Sequence, residues 1–320
     1  MAGVKEHRSY RHEALLCSGL EEFLAVTVPF VSDGLEAEQQ VMVALPPSRR
    51  RALQEALGPV AEEESLHFVD MAALGNNPAK IIAAWRDFAG SAAGHAVRGI
   101  GEPIWLGRRP SEIAECQLHE ALLNLAIAPD TPLWLLCPYD VDNLPPEVIH
   151  EAARSHPALV QAHSYRGSTV YGGRDLAEAC FTAALDRPSV PVQETAFGPN
   201  DLGTLRSTVR ARCLESGIDP TRANDLALAM FELAANSVAH GGGHGVLRVW
   251  SEADALVCEV SDSGHITDLM VGRSAPATAG EVGRGLWLVN HLCDLVQLRS
   301  NPGGTTIRTY TWLEPDQSPQ

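Results

Sequence analysis

The first 165 residues alternate between short apolar runs and stretches in which apolar residues recur at helical spacing. Short continuous apolar runs predict strands, and the stretches between them repeat apolar residues with the period of a helix. The predicted strands are 14–17, 40–44, 66–69, 97–100, 133–137 and 159–162. The predicted helices are 20–31, 47–57, 78–89, 112–126 and 145–155. Strands that alternate with helices are typical of βαβ units, so this part is expected to be an α/β domain with a parallel sheet.

The pattern changes after residue 165. Residues 166–192 are rich in glycine and proline and contain one short amphipathic stretch, which indicates a linker with a short helix. The rest has its helices and strands in separate groups, which favours an α+β two-layer sandwich. Its helices are expected at 202–216, 221–239 and 285–292, and its strands at 246–251, 255–261, 295–300 and 305–312. The predicted domains are therefore 1–165 and 193–320.

Charge and composition exclude several kinds of protein. The 320 residues include 24 basic and 40 acidic side chains, and both halves are acidic, so binding of nucleic acid through bulk charge is disfavoured. The polar N-terminus does not resemble a signal peptide, and no apolar stretch is long enough to span a membrane. Seven scattered cysteines without a C-x-x-C pair fit a reducing compartment, so a cytoplasmic protein is expected.

Two polar residues on the second predicted helix of the C-terminal part are candidates for chemistry. Glu232 and Asn236 are four residues apart, so they share one helix face. A carboxylate above an amide oxygen offers hard donors for Mg²⁺ and can orient a hydroxyl group or water. The alternative for this weak pattern is a solvated helix face.

Three further segments are suggestive only in combination. Asp262 and Gly264 end a predicted strand, and an isolated pair of this kind is usually a turn. Gly283, Arg284 and Gly285 lead into a helix whose free amides can hold phosphate, and the arginine is alternatively a solvated residue. Gly303-Gly304-Thr305-Thr306 by itself indicates a hairpin turn.

The order and spacing of the four segments resemble the N, G1, G2 and G3 boxes of the GHKL (histidine-kinase-like) ATPase superfamily, with its Bergerat fold. The length resembles the anti-sigma-factor serine-kinase branch, over residues 193–313. The resemblance implies ATP and Mg²⁺ as cofactors, Glu232 as general base and Asn236 as the Mg²⁺ ligand. It places the remaining candidates around the nucleotide: Asp262 on the adenine amine, Gly264 beneath the base, Gly283, Arg284 and Gly285 at the phosphates, Thr306 on an adenine-side water, and His240 one turn beyond Asn236.

The sequence also departs from that pattern. Ile266 stands where the G1 box usually has its second glycine, and the expected lid, 265–282, has one basic residue, Arg273. Nucleotide binding is therefore expected, while phosphoryl transfer stays open. A histidine kinase would need a phosphoacceptor histidine on a two-helix hairpin, and the 166–196 segment is too short for one. The pair His240 and His244 lacks a fixed spacing and a third ligand, so a metal site there is disfavoured.

The N-terminal part has no G-x-x-x-x-G-K-[ST] motif. The segments around His12, Asn77–Lys80, Gly99–Trp105, Glu115–Asn124 and Cys137–Asp140 resemble the MEDS sensory domain over residues 10–165. That resemblance implies a RecA/KaiC-like fold that lacks the Walker A loop and senses a small-molecule signal that is not defined. Ligand candidates lie near the carboxyl ends of the predicted strands, although each is alternatively structural: Glu102, Trp105, Glu120, Tyr139 and Asp140.

Together the two resemblances imply a bacterial cytoplasmic regulator of transcription. A sensory domain would control an anti-sigma factor that binds a sigma factor and that phosphorylates serine or threonine on a STAS-type anti-anti-sigma protein. The open alternatives are a non-catalytic anti-sigma or adaptor module and a histidine-kinase-related enzyme. A homodimer is expected by analogy only, and neither nucleic acid nor membrane is expected as a direct partner.

Overall fold

The computed structural model describes residues 9–161, 164–274 and 284–313. The chain forms two compact units, with the border between Ala177 and Glu178. Within the described ranges, none of the helices combines the length and the apolar character that crossing a bilayer requires.

The first unit is built on one seven-stranded sheet with the order β3-β2-β4-β5-β1-β6-β7. Strands β1 to β6 are parallel, and β7 is antiparallel to β6. The strands are β1 (Arg11–Cys17), β2 (Gln40–Leu45), β3 (Leu66–Asp70), β4 (Val97–Gly101), β5 (Leu133–Asp140), β6 (Ala158–Gln161) and β7 (Ser164–Gly167). The helices are α1 (Gly19–Glu36), α2 (Pro47–Leu57), α3 (Met71–Leu74), α4 (Ile81–Ser91), α5 (Pro110–Ala126), α6 (Pro146–Ser155) and α7 (Gly173–Thr182), which contains the border between the units.

Helices cover both faces of this sheet, which is why its inner strands are almost continuously apolar. On one face, α1 and α2 pack Phe23 and Leu53 against strand residues such as Ile100. On the other face, the indole of Trp85 lies over the β4 backbone, where a Cβ on Gly99 would come within 2.5 Å of Cζ3. Glycine at this position therefore lets α4 approach the sheet.

The second unit contains an antiparallel five-stranded sheet with the order β11-β12-β10-β9-β8. Its strands are β8 (Gln193–Phe197), β9 (Gly245–Ser251), β10 (Ala255–Asp262), β11 (Leu295–Asn301) and β12 (Gly304–Trp312). Its helices are α8 (Leu202–Glu215), α9 (Pro220–His240) and α10 (Arg284–Leu292).

All three helices share a core with one face of this sheet. Val209 of α8, Met230 of α9 and Val289 of α10 are buried with the alternate strand residues Cys258 and Ile307. A smaller apolar cluster on the opposite face contains Trp250, Val257 and Tyr310. The unit is thus a helical layer on an antiparallel sheet.

The structure confirms the predicted α/β class for the first part and the helices-plus-antiparallel-sheet class for the second. Two strands, β7 and β8, had no counterpart among the predicted elements. Every residue of β7 is exposed, and only Phe197 of β8 is buried. Edge strands of this kind carry no apolar run, so the pattern that revealed the other strands was missing.

Candidate functional site

Helix α9 positions the first pair of predicted site residues. Asp219 caps the helix, because its carboxylate accepts a hydrogen bond from the Thr221 amide at 2.7 Å, and Pro220 occupies the first turn. Glu232 and Asn236 are both half-buried, one turn apart in the second half of the helix. The capped helix therefore holds a carboxylate and an amide on one face.

The buried face of α9 differs from the face marked by four apolar residues at helical spacing. Those residues, Leu228, Phe231, Ala235 and Val238, form a stripe in the sequence, but each is only half-buried. The fully buried positions are Ala223, Leu226, Ala227, Ala229, Met230, Leu233, Ala234 and Ser237. This buried face combines alanines with the large side chains of Leu226, Met230 and Leu233. Glu232 and Asn236 lie at its margin, half-buried rather than in open solvent.

Gly285 in the first turn of α10 lies directly against this pair. A Cβ at Gly285 would be 3.1 Å from Glu232 Oε2 and 3.1 Å from Asn236 Nδ2. A glycine therefore lets the backbone at the start of α10 approach a carboxylate and an amide. Free amides of a first helical turn favour anions, and the oxygens of the pair favour cations. The structure thus joins the predicted N and G2 segments at one point.

Asp262 at the end of β10 lies against the last turn of α9. Its Oδ2 accepts a hydrogen bond from Ser237 Oγ at 2.5 Å, and its Oδ1 accepts one from the Gly264 amide at 2.8 Å. A Cβ on Gly241 would overlap the carboxylate. The carboxylate is therefore fixed in orientation by groups on both of its oxygens.

Gly264 lies between the end of α9 and the hairpin of β11 and β12. A Cβ at Gly264 would be 2.9 Å from the His240 carbonyl oxygen. The carbonyl oxygen of Gly264 accepts a hydrogen bond from Thr305 Oγ1 at 2.8 Å. Gly304 has φ of +139° and approaches the Asp262 carbonyl so closely that a Cβ would overlap it. Both glycines are needed for this packing.

The structure brings Thr305, and not Thr306, to the Asp262 side. In the antiparallel register Asp262 pairs with Thr305, and Ser261 pairs with Thr306. Successive strand residues face opposite sides of a sheet. Thr306 lines a groove of about 620 Å³ on the other face, together with Arg308 and Glu259, and it also borders a smaller groove of about 440 Å³ that Asp262 and Thr305 line. The hairpin register, which cannot be read from the sequence motif alone, decides which threonine faces the site.

Two other predicted nucleotide residues lie at the ends of helices. Arg284 is the exposed first residue of α10, and His240 is the exposed last residue of α9. Gly283 and part of the expected lid lie outside the described residues. Ile266 packs its side chain against the core, and its amide donates to Ser300 Oγ at 2.8 Å.

In the first unit, Arg49 links two of the predicted ligand residues. It is in the first turn of α2, and its guanidinium lies 3.2 Å from Glu102 Oε1 and donates to Asp140 Oδ2 at 2.8 Å. Burial alone would raise the pKa of Asp140, but hydrogen bonds from Asn143 and Arg49 outweigh it and lower the pKa. In the sequence, Arg49 is the first of three consecutive arginines, and none of them was among the candidate ligand residues.

Glu102 is the unusual member of this group. It directly follows β4, is 1% exposed, and has no hydrogen-bond partner for Oε2 among the described residues. Burial raises its pKa to about 8, although the guanidinium of Arg49 opposes the shift. Near pH 7 the carboxyl is therefore largely protonated. A neutral acid beside an arginine–aspartate pair at the carboxyl end of a parallel sheet can donate a hydrogen bond to a ligand.

The remaining candidates lie apart from this trio. Trp105 is half-buried, and its ring is covered by the guanidinium of Arg108 at 4.4 Å from the centroid. Tyr139 is buried, and burial together with the negative charge of Glu120 raises its pKa well above the ordinary value. Because Tyr139 and Asp140 are adjacent on β5, their side chains lie on opposite faces. The five candidates are thus divided between separate environments.

Comparison with known proteins identifies both units. Residues 11–157 match the MEDS family, the methanogen/methylotroph DcmR sensory domain, and residues 196–311 match the histidine kinase-like ATPase domain. The chain therefore consists of a MEDS domain followed by a histidine kinase-like ATPase domain. No curated protein matches the chain. Among solved structures it is similar to the RsbU and RsbW domains of Rv1364c from Mycobacterium tuberculosis, with 20% identity and a TM-score of 0.31, over 41% of this chain and 35% of that chain.

Proposed function

We propose that the second unit is a GHKL-type ATPase domain that binds ATP with Mg²⁺ and acts as an anti-sigma regulatory factor. The support is the match of residues 196–311 to the histidine kinase-like ATPase domain and the order of the four glycine- and acid-containing segments. The first unit, with a RecA/KaiC-like sheet, would control this activity in response to a small-molecule signal.

The contact of Gly285 with Glu232 and Asn236 carries the proposal. The residues present fit ATP with Mg²⁺, because Gly285 leaves a space beside Glu232 and Asn236 at the start of α10 that any Cβ would fill. The donors are also of the right kind: hard oxygens for Mg²⁺, backbone amides for phosphate, and a fixed carboxylate at Asp262 for an exocyclic amine. Thr305 joins this set through its hydrogen bond to Gly264.

Each residue has a role in the proposed phosphoryl transfer. Bound ATP with Mg²⁺ would supply the phosphoryl group and neutralise its charge. Asn236 would hold the metal ion, and Arg284 with the α10 amides would face the phosphates. Glu232 would accept the proton of a serine or threonine hydroxyl on an anti-anti-sigma protein of the STAS type. Such catalysis consists largely of positioning and charge stabilisation.

The packing of Ile266 favours a second candidate function. A side chain at this position occupies space against the core and fixes the start of the expected lid. A loop that is held in this way fits a module that binds ATP and a sigma factor without transferring phosphate. In both functions the partner is expected to be basic, since the chain has a formal charge of −16 and charge complementarity aids association.

Histidine autokinase activity receives no support from the described residues that precede β8. The helix that precedes β8 is α7, which has 10 residues, and the described segment contains no two-helix hairpin there. We therefore retain a serine/threonine kinase or an adaptor as the two candidates.

For the first unit we propose a ligand crevice around Arg49, Glu102 and Asp140. Their position at the carboxyl ends of β4 and β5 is where open parallel sheets bind ligands. The connection between β1 and α1 is the single residue Ser18, which is too short to wrap phosphates. A small polar molecule with hydrogen-bond acceptors is thus a better fit than a nucleotide triphosphate.

Titration calorimetry with ATP and Mg²⁺ tests the nucleotide proposal. Wild type is expected to bind, Asp262→Asn to bind at least about 10-fold more weakly, and the exposed control Glu215→Ala to bind like wild type. Absence of binding by wild type would refute the ATP site.

Partner capture and phosphate transfer separate the two candidate functions. Proteins that co-purify from the native host are identified by mass spectrometry and incubated with labelled ATP. A kinase is expected to label a partner, and Glu232→Ala is expected to lose the transfer while it keeps ATP binding. An adaptor would capture a sigma factor equally with wild type and Glu232→Ala, without transfer. Capture of no sigma factor would refute the anti-sigma assignment.

A further inference from the structure

Four side chains with metal-binding atoms converge in the interior of the first unit, away from the Arg49 group. His12 is on β1, Glu120 on α5, Cys137 on β5, and His156 directly follows α6. Their relative exposure is between 0% and 2%. Distant parts of the sequence therefore supply one buried cluster.

The ligand atoms in this cluster are close enough to share one ion. His12 Nε2 lies 2.9 Å from Glu120 Oε2, and His156 Nε2 lies 3.3 Å from the same oxygen. Cys137 Sγ lies 3.4 Å from His12 Nε2 and 3.7 Å from Glu120 Oε2. One donor atom from each of the four residues lies within 4.8 Å of the others.

Neighbouring groups set the protonation of His12. Asn124 Nδ2 donates to the carbonyl oxygens of Glu120 and Ser155, so Asn124 Oδ1 is the atom that faces His12 Nδ1, at 3.1 Å. An amide oxygen can only accept a hydrogen bond, so Nδ1 of His12 carries the hydrogen. In the neutral ring, Nε2 then directs its lone pair toward Glu120.

His156 is oriented in the same way. Its Nδ1 lies 2.8 Å from the Ala152 carbonyl oxygen, which can only accept, so Nδ1 carries the hydrogen. Its Nε2 lies on the cluster side of the ring, 3.3 Å from Glu120 Oε2. An imidazole whose Nδ1 donates to a carbonyl or amide oxygen, while its Nε2 faces other donors, is the arrangement typical of a metal-bound histidine.

The cluster leaves polar atoms without partners. Glu120 Oε1 and His156 Nε2 are buried and have no hydrogen-bond partner among the described residues. Two imidazole lone pairs beside a carboxylate are unfavourable in a medium of low polarity, and the Cys137 thiol, which contacts His12 Nε2 at 3.4 Å and Glu120 Oε2 at 3.7 Å, has one hydrogen to donate. A divalent cation between the four ligand atoms would give His156 Nε2 a partner and would hold it together with His12, Glu120 and Cys137.

We propose that His12, Glu120, Cys137 and His156 form a buried binding site for a divalent transition-metal ion, with Zn²⁺ the best fit. Tetrahedral coordination with bonds of about 2.05 Å to N or O and about 2.3 Å to S gives ligand–ligand distances of about 3.3 and 3.6 Å. Four of the six distances between these ligand atoms are 2.9 to 3.7 Å, and all six are within 4.8 Å, so small side-chain shifts would bring the four atoms to those values. Imidazole and thiolate ligands favour zinc over Mg²⁺ or Ca²⁺.

Four protein ligands complete a tetrahedral shell, so the site is a closed one that holds elements together rather than a catalytic one with an open position. It would join β1, β5, α5 and the segment after α6. Such a metal binds as the chain folds, because the ligands come from distant sequence positions. The MEDS unit would thus contain a structural metal site that is separate from its proposed ligand crevice.

Metal analysis of the purified full-length chain tests the proposal. Elemental mass spectrometry is expected to find about one zinc ion per chain without added nucleotide. Chain reconstituted with Co²⁺ is expected to show the absorption of tetrahedral cobalt and a thiolate-to-cobalt charge-transfer band. Cys137→Ser is expected to lose that band, and His156→Ala is expected to lose the bound metal.

Two further variants sharpen the test. Cys116→Ser removes another buried thiol of the same unit, one that donates to the Pro103 carbonyl oxygen, and is expected to retain both the metal and the band. Asn124→Ala keeps all four ligands and is expected to weaken Zn²⁺ affinity by about 10–100-fold, because it releases the His12 ring.

Several results would overturn the proposal, and the wild-type measurement is decisive even if ligand variants fail to fold. Folded wild-type chain that contains no metal and takes up neither Zn²⁺ nor Co²⁺ would show that the cluster is a buried hydrogen-bonded network. A cobalt complex without a thiolate band would exclude Cys137. Equal metal content in wild type, Cys137→Ser and His156→Ala would place the ion elsewhere.

Discussion

Replacement of Glu102 by glutamine is expected to change how the stability of the MEDS unit depends on pH. Glu102 is buried at the end of β4, and burial raises its pKa from 4.5 to about 8. In the unfolded chain the carboxyl ionises near its ordinary value, whereas in the folded unit it keeps its proton until about pH 8. Between these values the folded state binds more protons, so stability falls as pH rises. A glutamine side chain does not ionise in this pH range, so the stability of the variant does not fall for this reason.

The magnitude follows from the distance between the two pKa values. Each pH unit in that window corresponds to about 1.4 kcal/mol, so wild type loses about 3 kcal/mol by pH 7 and about 5 kcal/mol above pH 8. Below about pH 4, the carboxyl is mostly protonated in both states and the variant is expected to match wild type within about 1 kcal/mol. Above pH 8, Glu102→Gln is expected to be the more stable protein.

Amide exchange as a function of urea, followed by mass spectrometry on peptides from β4 and β5, measures the stability of this unit separately from the ATPase-like unit. Wild type and variant are compared at each pH, so intrinsic exchange rates cancel. The exposed control Glu63→Gln is expected to leave the pH profile unchanged. If Glu102→Gln and wild type have parallel profiles from pH 5 to 9, the carboxylate is ionised in the folded unit and the reasoning about its burial is wrong.

Other substitutions test the second unit. Thr305→Val removes hydrogen bonds to Gly264 and Ser300, so it is expected to lower the free energy of unfolding by about 1–3 kcal/mol and to weaken ATP binding. The control Thr306→Val is expected to bind ATP like wild type. Equal effects of the two substitutions would contradict the strand register. Gly285→Ala places a methyl group against Glu232 and Asn236 and is expected to reduce ATP affinity by more than about 10-fold in calorimetry; an affinity equal to that of wild type would contradict the role of this contact. Ser237→Ala is expected to cost about 1–2 kcal/mol in urea unfolding, and an unchanged midpoint would show that Asp262 does not depend on that hydroxyl.

Helix and strand positions were largely determined by the sequence. The apolar runs of β1 to β6 and of β9 to β12 were visible because each is buried on at least one face, which imposes a pattern on the residues. The exposed edge strands β7 and β8 were invisible for the opposite reason. Glu232, Asp262 and Gly285 could be singled out in the sequence only through the order and spacing of their segments, because each segment alone is a weak pattern.

The sequence did not determine which side chains meet. Thr305 and Thr306 are adjacent and identical, and only the register with β10 decides which of them reaches Asp262. Arg49 belongs to a run of three arginines, and only the tertiary fold brings its side chain to Glu102, which follows β4, and to Asp140 at the end of β5.

The buried cluster is the clearest case of a feature that tertiary structure decides. His12 and His156 are 144 positions apart along the chain, and nothing in their local sequence indicates a common site. They meet because β1 lies between β5 and β6 in the sheet, while α5 covers the same region. Local periodicity indicates which face of an element is buried. Strand order determines which side chains form a site, and it depends on contacts between residues that are far apart in the chain.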